Sequence, residues 1–263
     1  MLPEILPVMT TYVMGDIHGG HKALLQCLQR SGFDYERDTL IQLGDIADGY
    51  DEVFACVETL LTVRHLVAIK GNHDDWFQTF IRTGFHPQYW NQGGEGTLRS
   101  YLIAAGKQDL IPAYGNIHPQ ALNPPDIPAT HRHFFNHQRL YYLDDHMNCF
   151  VHAGFDRRLP FREQLPHLYY WDRELWLEAL SWEATNRGKK RPARFKMATR
   201  FHEVFIGHTR TIMWGTDQPM KAANVNNIDT GGGGGGRLTI MNVETKECWQ
   251  SDPVNSLYEI SYR

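Results

Sequence analysis

The stretch TYVMGDIHGGHKALLQCLQR, residues 11–30, contains the pattern on which the fold prediction depends. An apolar run of strand length, Thr11–Met14, is followed by a polar turn and then by an amphipathic segment. In that segment, from about His21 to Gln29, the leucines recur at helical spacing. The stretch therefore predicts a strand, a turn that carries polar side chains, and a helix.

Two further copies of this pattern follow within the first 80 residues. The runs Thr39–Leu43 and Leu66–Ile69 are predicted as strands, and the segments Val53–Leu61 and Trp76–Ile81 as helices. Strands that alternate with helices indicate parallel βαβ units with right-handed crossovers. In such sheets binding residues collect at the carboxyl ends of the strands. We therefore expect all three polar turns at one edge of one sheet.

The strand pattern returns in the last third of the chain. Two short apolar runs, Cys149–Val151 and Val204–Ile206, each precede a histidine. The segments Leu238–Met241 and Glu247–Gln250 alternate in polarity on either side of a turn, which predicts a hairpin. Residues 88–145 are less regular, and we expect them to form a cap of helices and loops within one domain that spans residues 1–263.

Composition excludes several classes of protein. Hydrophobic content of 42% and charged content of 21% are typical of a globular protein. A net charge of −4 does not favour binding to a nucleic acid duplex or an anionic membrane. We find neither a signal peptide at the N-terminus nor an apolar run long enough for a membrane span, so we expect a cytoplasmic protein. The four widely spaced cysteines are predicted to be buried free thiols.

Five short motifs place a metal-binding side chain directly after a predicted strand: GDIHG, GDIAD, GNHD, VHAG and GHT. A side chain at a strand end is held by a buried element and still faces a cleft, which suits ligand placement. The mixture of carboxylate, imidazole and amide, without thiolate, favours Mn²⁺, Fe or Zn²⁺ in a reactive site over a structural zinc. The candidate ligands are Asp16, His18, Asp45, Asn72, His152 and His208.

Each candidate ligand also has a purely structural explanation. Asp16 is a favourable helix N-cap at a strand–helix turn, and Asn72 suits the end of a strand. His152 and His208 follow buried runs, where histidines often belong to the core. A single metal site explains all of these positions together, whereas the structural explanations are independent of one another.

The ordered series of motifs resembles the calcineurin-like metallophosphoesterases. It is most similar to the bacterial and phage-type serine/threonine phosphoprotein phosphatases and to the related diadenosine tetraphosphate hydrolases. The resemblance implies a four-layer α/β/β/α sandwich of two mixed sheets with two metal ions at the strand ends. It assigns Asp16 and His18 to the first ion, Asp45 to both ions, and Asn72, His152 and His208 to the second.

The resemblance also implies the catalytic groups. His73 matches the family's proton donor, which protonates the leaving group after in-line attack by a hydroxide that the two ions share. Asp48 matches the carboxylate that orients this imidazole. Arg173 matches an arginine that holds the substrate phosphate, although an ion pair with a neighbouring carboxylate is the alternative for it.

One position departs from the family pattern. The branch has GDxxDRG after the second strand, and here Gly49 stands where the phosphate-binding arginine would be. Arg99 and Arg210 are candidates for the missing contact. The run Gly231–Gly236 is not expected to be a phosphate loop, because a predicted strand follows it and no Lys-Ser/Thr pair does.

These observations predict a two-metal phosphomonoester hydrolase, with Mn²⁺ as the expected ion. The implied substrate is phosphoserine or phosphothreonine in a protein. The alternatives are hydrolysis of nucleotides or dinucleoside polyphosphates and, more remotely, a non-catalytic scaffold. The sequence makes no prediction of the oligomeric state.

Overall fold

The computed structural model describes residues 9–88, 90–118, 120–190 and 194–262, in which two mixed sheets have five strands each. The N-terminal segment, for which we predicted no signal peptide, lies largely outside the described residues. The first sheet has the strand order β10-β9-β1-β2-β3. Its strands are β1 (Thr11–Met14), β2 (Thr39–Gln42), β3 (His65–Ala68), β9 (Thr239–Asn242) and β10 (Cys248–Gln250).

The first sheet confirms two predictions, the parallel N-terminal strands and the hairpin in the last third of the chain. Strands β1, β2 and β3 are parallel, with Thr11 opposite Thr39 and Thr39 opposite His65. Strands β9 and β10 form the predicted antiparallel hairpin, and β9 pairs with β1. The three N-terminal polar turns therefore leave the same edge of the sheet.

The second sheet has the strand order β4-β5-β6-β8-β7. Its strands are β4 (Tyr141–Leu143), β5 (Cys149–Val151), β6 (Val204–Ile206), β7 (Met220–Ala222) and β8 (Val225–Asn227). The prediction of helices and loops alone over residues 88–145 is wrong at β4, because the backbone of Tyr141–Leu143 pairs with β5 at the edge of this sheet. Strands β7 and β8 were not predicted, since three-residue strands are too short to show a polarity period.

The helices pack on the outer faces of the two sheets. They are α1 (His21–Ser31), α2 (Val53–Leu61), α3 (Asn72–Thr83), α4 (Gly94–Ala104), α5 (Ala129–Asn136), α6 (Leu168–Trp171), α7 (Glu174–Asn186) and α8 (Val254–Leu257). Helix α3 begins four residues earlier than predicted. Its first turn is stabilised by Asp74, whose Oδ2 accepts a hydrogen bond of 3.1 Å from the amide of Gly71.

Three buried clusters define the layers. The two sheets face each other through apolar side chains such as Val13 and Ile41 of the first sheet and Phe150 and Phe205 of the second. A second cluster lies between the first sheet and helices α1 to α5, and a third lies between the second sheet and α6 and α7. The predicted four-layer α/β/β/α sandwich is confirmed.

Two other expectations concern the same residues. Within the ranges that the structure describes, no helix is long and apolar enough to cross a membrane. All four cysteines are free, and Cys27, Cys56 and Cys149 are buried as predicted. Cys248 is only half-buried, because it lies on β10 at the edge of the first sheet.

Candidate functional site

The carboxyl ends of five strands from both sheets converge on one site. The turns after β1, β2 and β3 come from the first sheet, and the turns after β5 and β6 come from the second. Asp45 has a ligand atom within 4.8 Å of those of His18 and His73 in one group, and of those of His152 and His208 in another. One buried carboxylate therefore belongs to two candidate metal-binding groups.

The remaining candidate ligands adjoin these groups. Oδ2 of Asp16 lies 4.0 Å from Nε2 of His18 and accepts a hydrogen bond of 3.1 Å from the amide of His208. Oδ1 of Asn72 lies 3.3 Å from Nε2 of His152. The structure thus brings all six predicted ligands to one buried site, although they are up to 192 positions apart in the chain.

Backbone carbonyls fix the orientation of two imidazoles. Nδ1 of His152 is 2.7 Å from the carbonyl oxygen of Leu43, and Nδ1 of His18 is 3.2 Å from that of Ala47. A carbonyl oxygen only accepts, so each Nδ1 donates its hydrogen, and Nε2 is the nitrogen that faces the site. Nε2 of His18 lies 3.5 Å from a carboxylate oxygen of Asp45, and Nε2 of His152 lies 3.4 Å from the other. This is the arrangement of metal-binding histidines, whose second nitrogen donates to a fixed acceptor.

The site fits a cation on two further observations. Nε2 of His208 is buried and has no hydrogen-bond partner in the part of the chain that the structure describes. Such an atom costs about 1–3 kcal/mol unless a ligand satisfies it. In addition, His18, Asp45 and His208 have positive φ angles of 49°, 54° and 63°. Non-glycine residues in this region concentrate at functional sites, where the surrounding structure holds the strain.

The electrostatics of the site also favour a cation. Burial alone raises the pKa of Asp45, but the charges of His152 and His73 hold it well below its usual range. Burial lowers the pKa of His152, but the neighbouring Asp45 raises it above its ordinary value. Burial, together with the charge of His152, holds the pKa of His208 well below its usual range. The ionised Asp45 and the neutral His208 are therefore in the forms that bind metals, whereas His152 would release a proton on binding an ion.

His73 and Asp48 form a buried pair beside the candidate ligands. Oδ2 of Asp48 lies 2.7 Å from Nδ1 of His73. Its other oxygen, Oδ1, accepts hydrogen bonds from Nε1 of Trp90 at 2.8 Å and from Oγ1 of Thr97 at 2.7 Å. Trp90, just before α4, and Thr97, in its first turns, were missed by the sequence prediction, because nothing in the local sequence marks a contact across the chain. They hold the carboxylate so that one oxygen faces the imidazole.

Asp74 joins two of the motif turns. Its Oδ1 accepts hydrogen bonds from the amides of Ile46 at 2.9 Å and Ala47 at 3.0 Å. Its Oδ2 accepts from Gly71 and from Nε2 of Gln138, the latter at 2.8 Å. Burial, and then the charge of Asp45, raises the pKa of Asp74. Asp74 therefore links the turn after β2 to the start of α3, and so supports both sets of functional side chains.

Gly71 allows the closest approach between these turns. A Cβ atom at this position would lie 2.1 Å from Oδ1 of Asp45. The amide of His73 also donates to that oxygen, at 3.0 Å. Any larger residue at position 71 would therefore displace the carboxylate that the two candidate groups share.

Gly49, the departure from the family pattern, lies in a closely packed turn. Its φ is +91°, and a Cβ atom would lie 2.9 Å from both Cβ and the carbonyl oxygen of His18. Its amide donates to the carbonyl of Gly93 at 3.0 Å, and its own carbonyl accepts from the amide of Tyr262 at 2.9 Å. The C-terminal segment thus covers this turn.

The candidate arginines differ in where they lie. Nη1 of Arg173 donates to the carbonyl of His208 at 3.2 Å and to Oγ1 of Thr209 at 2.9 Å, so the guanidinium lies at the rim of the site. Arg99 instead donates twice to Oε1 of Glu95 and lies over the ring of Tyr262, 5.0 Å from its centroid. The guanidinium of Arg99 is therefore already engaged by Glu95 and Tyr262.

Two other predicted features lie near the ligands. Arg210 is half-buried and begins the turn after the GHT motif. In the run Gly231–Gly236, Gly232 packs against the carbonyl oxygen of Asp16, and the amides of Gly234 and Gly236 both donate to Gly231. The run is followed by β9, so it is not the start of a helix.

Two tryptophans form a wall at the rim. The ring of Trp76 contacts that of His73, with centroids 4.7 Å apart, and that of Trp171 at 5.6 Å. Trp171 is 41% exposed and lies 6.0 Å from the ring of His208. An apolar wall therefore separates the candidate ligands from one side of the solvent.

The comparison with protein families agrees with this geometry. The family described as calcineurin-like phosphoesterase matches residues 9–211, which contain every candidate ligand and His73. The chain belongs to that family. Its members are dinuclear metal-dependent phosphoesterases, and membership indicates a metal-dependent phosphoesterase here.

Two curated relatives have different names. Serine/threonine-protein phosphatase 1 of Salmonella typhimurium is 24% identical over 233 residues, which cover 89% of this chain and 91% of that protein. The symmetrical bis(5'-nucleosyl)-tetraphosphatase of Nitrosomonas europaea is 36% identical over 147 residues, which cover 56% of this chain and 45% of that protein. The two names imply different substrates, a phosphorylated protein and a dinucleoside tetraphosphate.

Solved structures share the fold at low sequence identity. A crystal structure described as a candidate diadenosine tetraphosphatase has a TM-score of 0.61 at 18% identity and covers 96% of both chains. A cold-active protein tyrosine phosphatase has a TM-score of 0.53 at 12% identity, covering 94% of this chain and 80% of its own. These likenesses concern the fold alone.

Proposed function

We propose that this protein is a two-metal phosphomonoester hydrolase that acts on phosphoserine or phosphothreonine in proteins. The observation that carries the proposal is the position of Asp45, whose two carboxylate oxygens lie 3.5 Å from His18 and 3.4 Å from His152. A carboxylate shared between two groups of ligands is what a pair of neighbouring cations requires.

The proposed ligands follow the two groups. Asp16 and His18 hold the first ion, Asp45 contacts both ions, and the second is held by Asn72, His152 and His208. The ions, when bound, supply positive charge to the phosphoryl oxygens and lower the pKa of the attacking water. We propose Mn²⁺ as the ion, and a donor set of oxygen and imidazole without thiolate is compatible with it, as it is with Fe and Zn²⁺.

His73 is proposed as the general acid. An alkoxide is a poor leaving group, so its departure requires a proton, which an imidazole in the site can supply. Asp48, fixed by Trp90 and Thr97, accepts from Nδ1 of His73 and leaves Nε2 to face the substrate oxygen. Arg173 is proposed to hold a phosphate oxygen through a charge-assisted hydrogen bond.

The Salmonella relative supports the protein substrate, because it is similar at 24% identity over nearly the whole of both chains, while a symmetrical tetraphosphatase of Coxiella burnetii is similar over a nearly equal share at 22%. A second candidate is hydrolysis of dinucleoside tetraphosphates. It is supported by the higher identity of the Nitrosomonas relative, 36% over the 147 matched residues. A non-catalytic scaffold is disfavoured, since every ligand position and the proton donor are present. The cytoplasmic location stays a prediction.

A substrate panel tests the proposal. The Mn²⁺-loaded protein would be assayed on a phosphoserine peptide, on diadenosine tetraphosphate and on mononucleotides. We expect kcat/KM to be highest for the phosphopeptide. A higher value for diadenosine tetraphosphate would select the second candidate, and no turnover of any of these, with fewer than two ions per chain, would reject both.

A further inference from the structure

A second cavity lies at the opposite end of the second sheet from the proposed metal site. Its volume is about 530 Å³, and it is enclosed by Trp182 of α7, by residues 194–202 and by the turn between β7 and β8. These residues come before β6 and β8 in the chain, whereas His152 and His208 come after β5 and β6. The length of a three-residue strand, roughly 10 Å, therefore separates the cavity from the proposed active site.

The cavity is cationic at its rim and apolar inside. Arg194, Lys196 and Arg200 line it and are exposed to solvent, and no Asp or Glu is among its described lining residues. Within the described ranges, none of these three cations has a carboxylate partner. This contrasts with the net charge of −4 of the whole chain. A cleft lined by one sign of charge concentrates ligands of the opposite sign.

Aromatic side chains form its walls. The rings of Trp182 and Phe195 contact each other with centroids 6.1 Å apart, and both line the cavity together with Phe201. Phe195 is held from behind by the guanidinium of Arg157, 4.8 Å from its centroid. Flat aromatic walls of this kind bind planar ligands by stacking.

Two buried polar atoms among the lining residues have no partner in the structure as described. They are Nε1 of Trp182, a donor, and Oδ1 of Asn224, an acceptor. The orientation of the amide is set by Nδ2 of Asn224, which donates to the carbonyl of Phe201 at 3.2 Å. Buried polar atoms are nearly always satisfied in folded proteins. Both atoms are shielded from solvent here, so a ligand that carries an acceptor and a donor satisfies them when the two side chains turn toward it.

We propose that this cavity binds a nucleoside phosphate. A nucleobase carries a donor and an acceptor on one edge and has two flat faces for the aromatic walls. The phosphate group supplies the negative charge for Arg194, Lys196 and Arg200. The volume lies within the range of roughly 300–1,000 Å³ that small-molecule sites occupy. The site is separate from the proposed metal centre, so the proposal does not depend on the reaction there.

The indole resonance of Trp182 gives a direct test. The ¹⁵N-labelled protein is titrated with AMP and followed by NMR, with diamagnetic Zn²⁺ in place of Mn²⁺, which would broaden the signals. The Trp182 indole signal is assigned by its absence in Trp182→Phe. We expect a saturable downfield shift, because Nε1 gains an acceptor. The double variant Arg194→Gln/Arg200→Gln should raise the Kd for AMP, measured from this signal, by at least about 10-fold, since two charge-assisted contacts are lost. Its kcat/KM on p-nitrophenyl phosphate should be unchanged.

The matched control is Arg37→Gln/Arg64→Gln, which removes two exposed arginines that do not line the cavity and gives the same change of charge. It should bind AMP like the wild type. An indole signal that does not move at millimolar AMP would overturn the proposal. If inorganic phosphate alone gave the same titration curve as AMP, the cavity would be only an anion site, and the proposal would also be overturned. Tighter binding of an oligoglutamate peptide than of AMP would also overturn it, in favour of a protein partner.

Discussion

Nδ1 of His152 donates a hydrogen bond of 2.7 Å to the carbonyl oxygen of Leu43, and this bond joins the strand-end turns of the two sheets. His152 follows β5 in the second sheet, and Leu43 follows β2 in the first. The proposed metal site therefore lies across the interface between the sheets. Its geometry depends on how the two sheets pack, and ligand loss should affect both metal content and activity.

Asp45→Asn should remove this shared ligand with little change in volume. We expect fewer than two Mn²⁺ ions per chain by elemental analysis, and a fall in kcat/KM of at least about 100-fold. Loss of a group that merely orients a metal ligand already costs 10–100-fold. Asp34→Asn is the control, because Asp34 lies in a partly exposed loop and is bonded to Arg37. An Asp45→Asn variant with two ions and full activity would contradict the proposed site.

Asp48→Asn should separate proton donation from the other roles of the site. The loss of the carboxylate misorients His73, so kcat on a phosphoserine peptide should fall by about 100-fold, within the range for general acid–base catalysis. The fall should be much smaller on p-nitrophenyl phosphate, whose leaving group departs without a proton. Thr97→Val removes the hydrogen bond to the Asp48 carboxylate and the one from the Asp48 amide, but leaves the carboxylate in place, so it should show the same selectivity with a smaller effect. Equal losses on both substrates would indicate a structural role.

Asp74→Ala should destabilise the fold more than Asp75→Ala, the same substitution at the partly exposed neighbouring position. It leaves four buried donors without their acceptor. At about 1–3 kcal/mol for each buried unsatisfied group, the free energy of unfolding should fall by at least about 3 kcal/mol. Asp75→Ala, whose carboxylate is 32% exposed and lies 3.5 Å from Nζ of Lys70, should change it by less than about 1 kcal/mol. Urea denaturation of both variants measures the difference, and similar values would show that the turns do not depend on Asp74.

The sequence predicted those parts of the fold and site that local patterns mark. Helix α2 was predicted with its observed bounds, Val53–Leu61, because apolar residues recur along it at helical spacing, and the structure buries them. The candidate ligands were identified because each follows an apolar strand directly. Both features are visible within about ten residues of the chain.

The parts that were not predicted depend on contacts between distant segments. Trp90 and Thr97 meet Asp48 only because α4 and the segment before it pack against the turn after β2. Strand β8 contains two consecutive asparagines and has no apolar period, although Nδ2 of Asn227 is bonded to the carbonyl of Thr209 at 2.7 Å. No propensity or periodicity indicates such partners.

Gly49→Arg should not restore the contact that the family arginine makes. The left-handed backbone is strained for any L-residue, by about 1–2 kcal/mol, and the added Cβ meets His18. A pair of alanine variants separates these effects. Gly32→Ala has the same kind of φ, +67°, but open space around it, whereas Gly49→Ala adds the contacts at 2.9 Å. Gly49→Ala should therefore lower the melting temperature more than Gly32→Ala, and should lower activity as well. Equal effects on stability would show that the backbone angle alone explains Gly49.

His131 should make the free energy of unfolding depend on pH. Nδ1 lies 2.9 Å from the hydroxyl of Tyr101 and Nε2 lies 2.6 Å from Oε1 of Glu58. Burial lowers the pKa of His131 below its usual value, although the hydrogen bond and charge of Glu58 raise it in part. Because the folded-state pKa is the lower one, the unfolded chain binds the proton more readily. The contribution of His131 to stability is therefore complete above the unfolded-state pKa of about 6.5 and is lost as the pH falls through the folded-state value.

His131→Gln tests this sign. At pH 8 the variant should be less stable by about 1–3 kcal/mol, since a buried hydrogen-bonded group is replaced imperfectly. As the pH falls below about 6.5, the wild type loses the neutral imidazole that the core favours, and the difference between the two proteins should shrink. His137→Gln, at an exposed position, is the control and should differ little from the wild type at either pH. Urea denaturation at pH 8 and pH 5.5 measures both differences. If the gap between wild type and His131→Gln instead widens toward low pH, the ion pair with Glu58 outweighs burial, and His131 is charged in the folded protein.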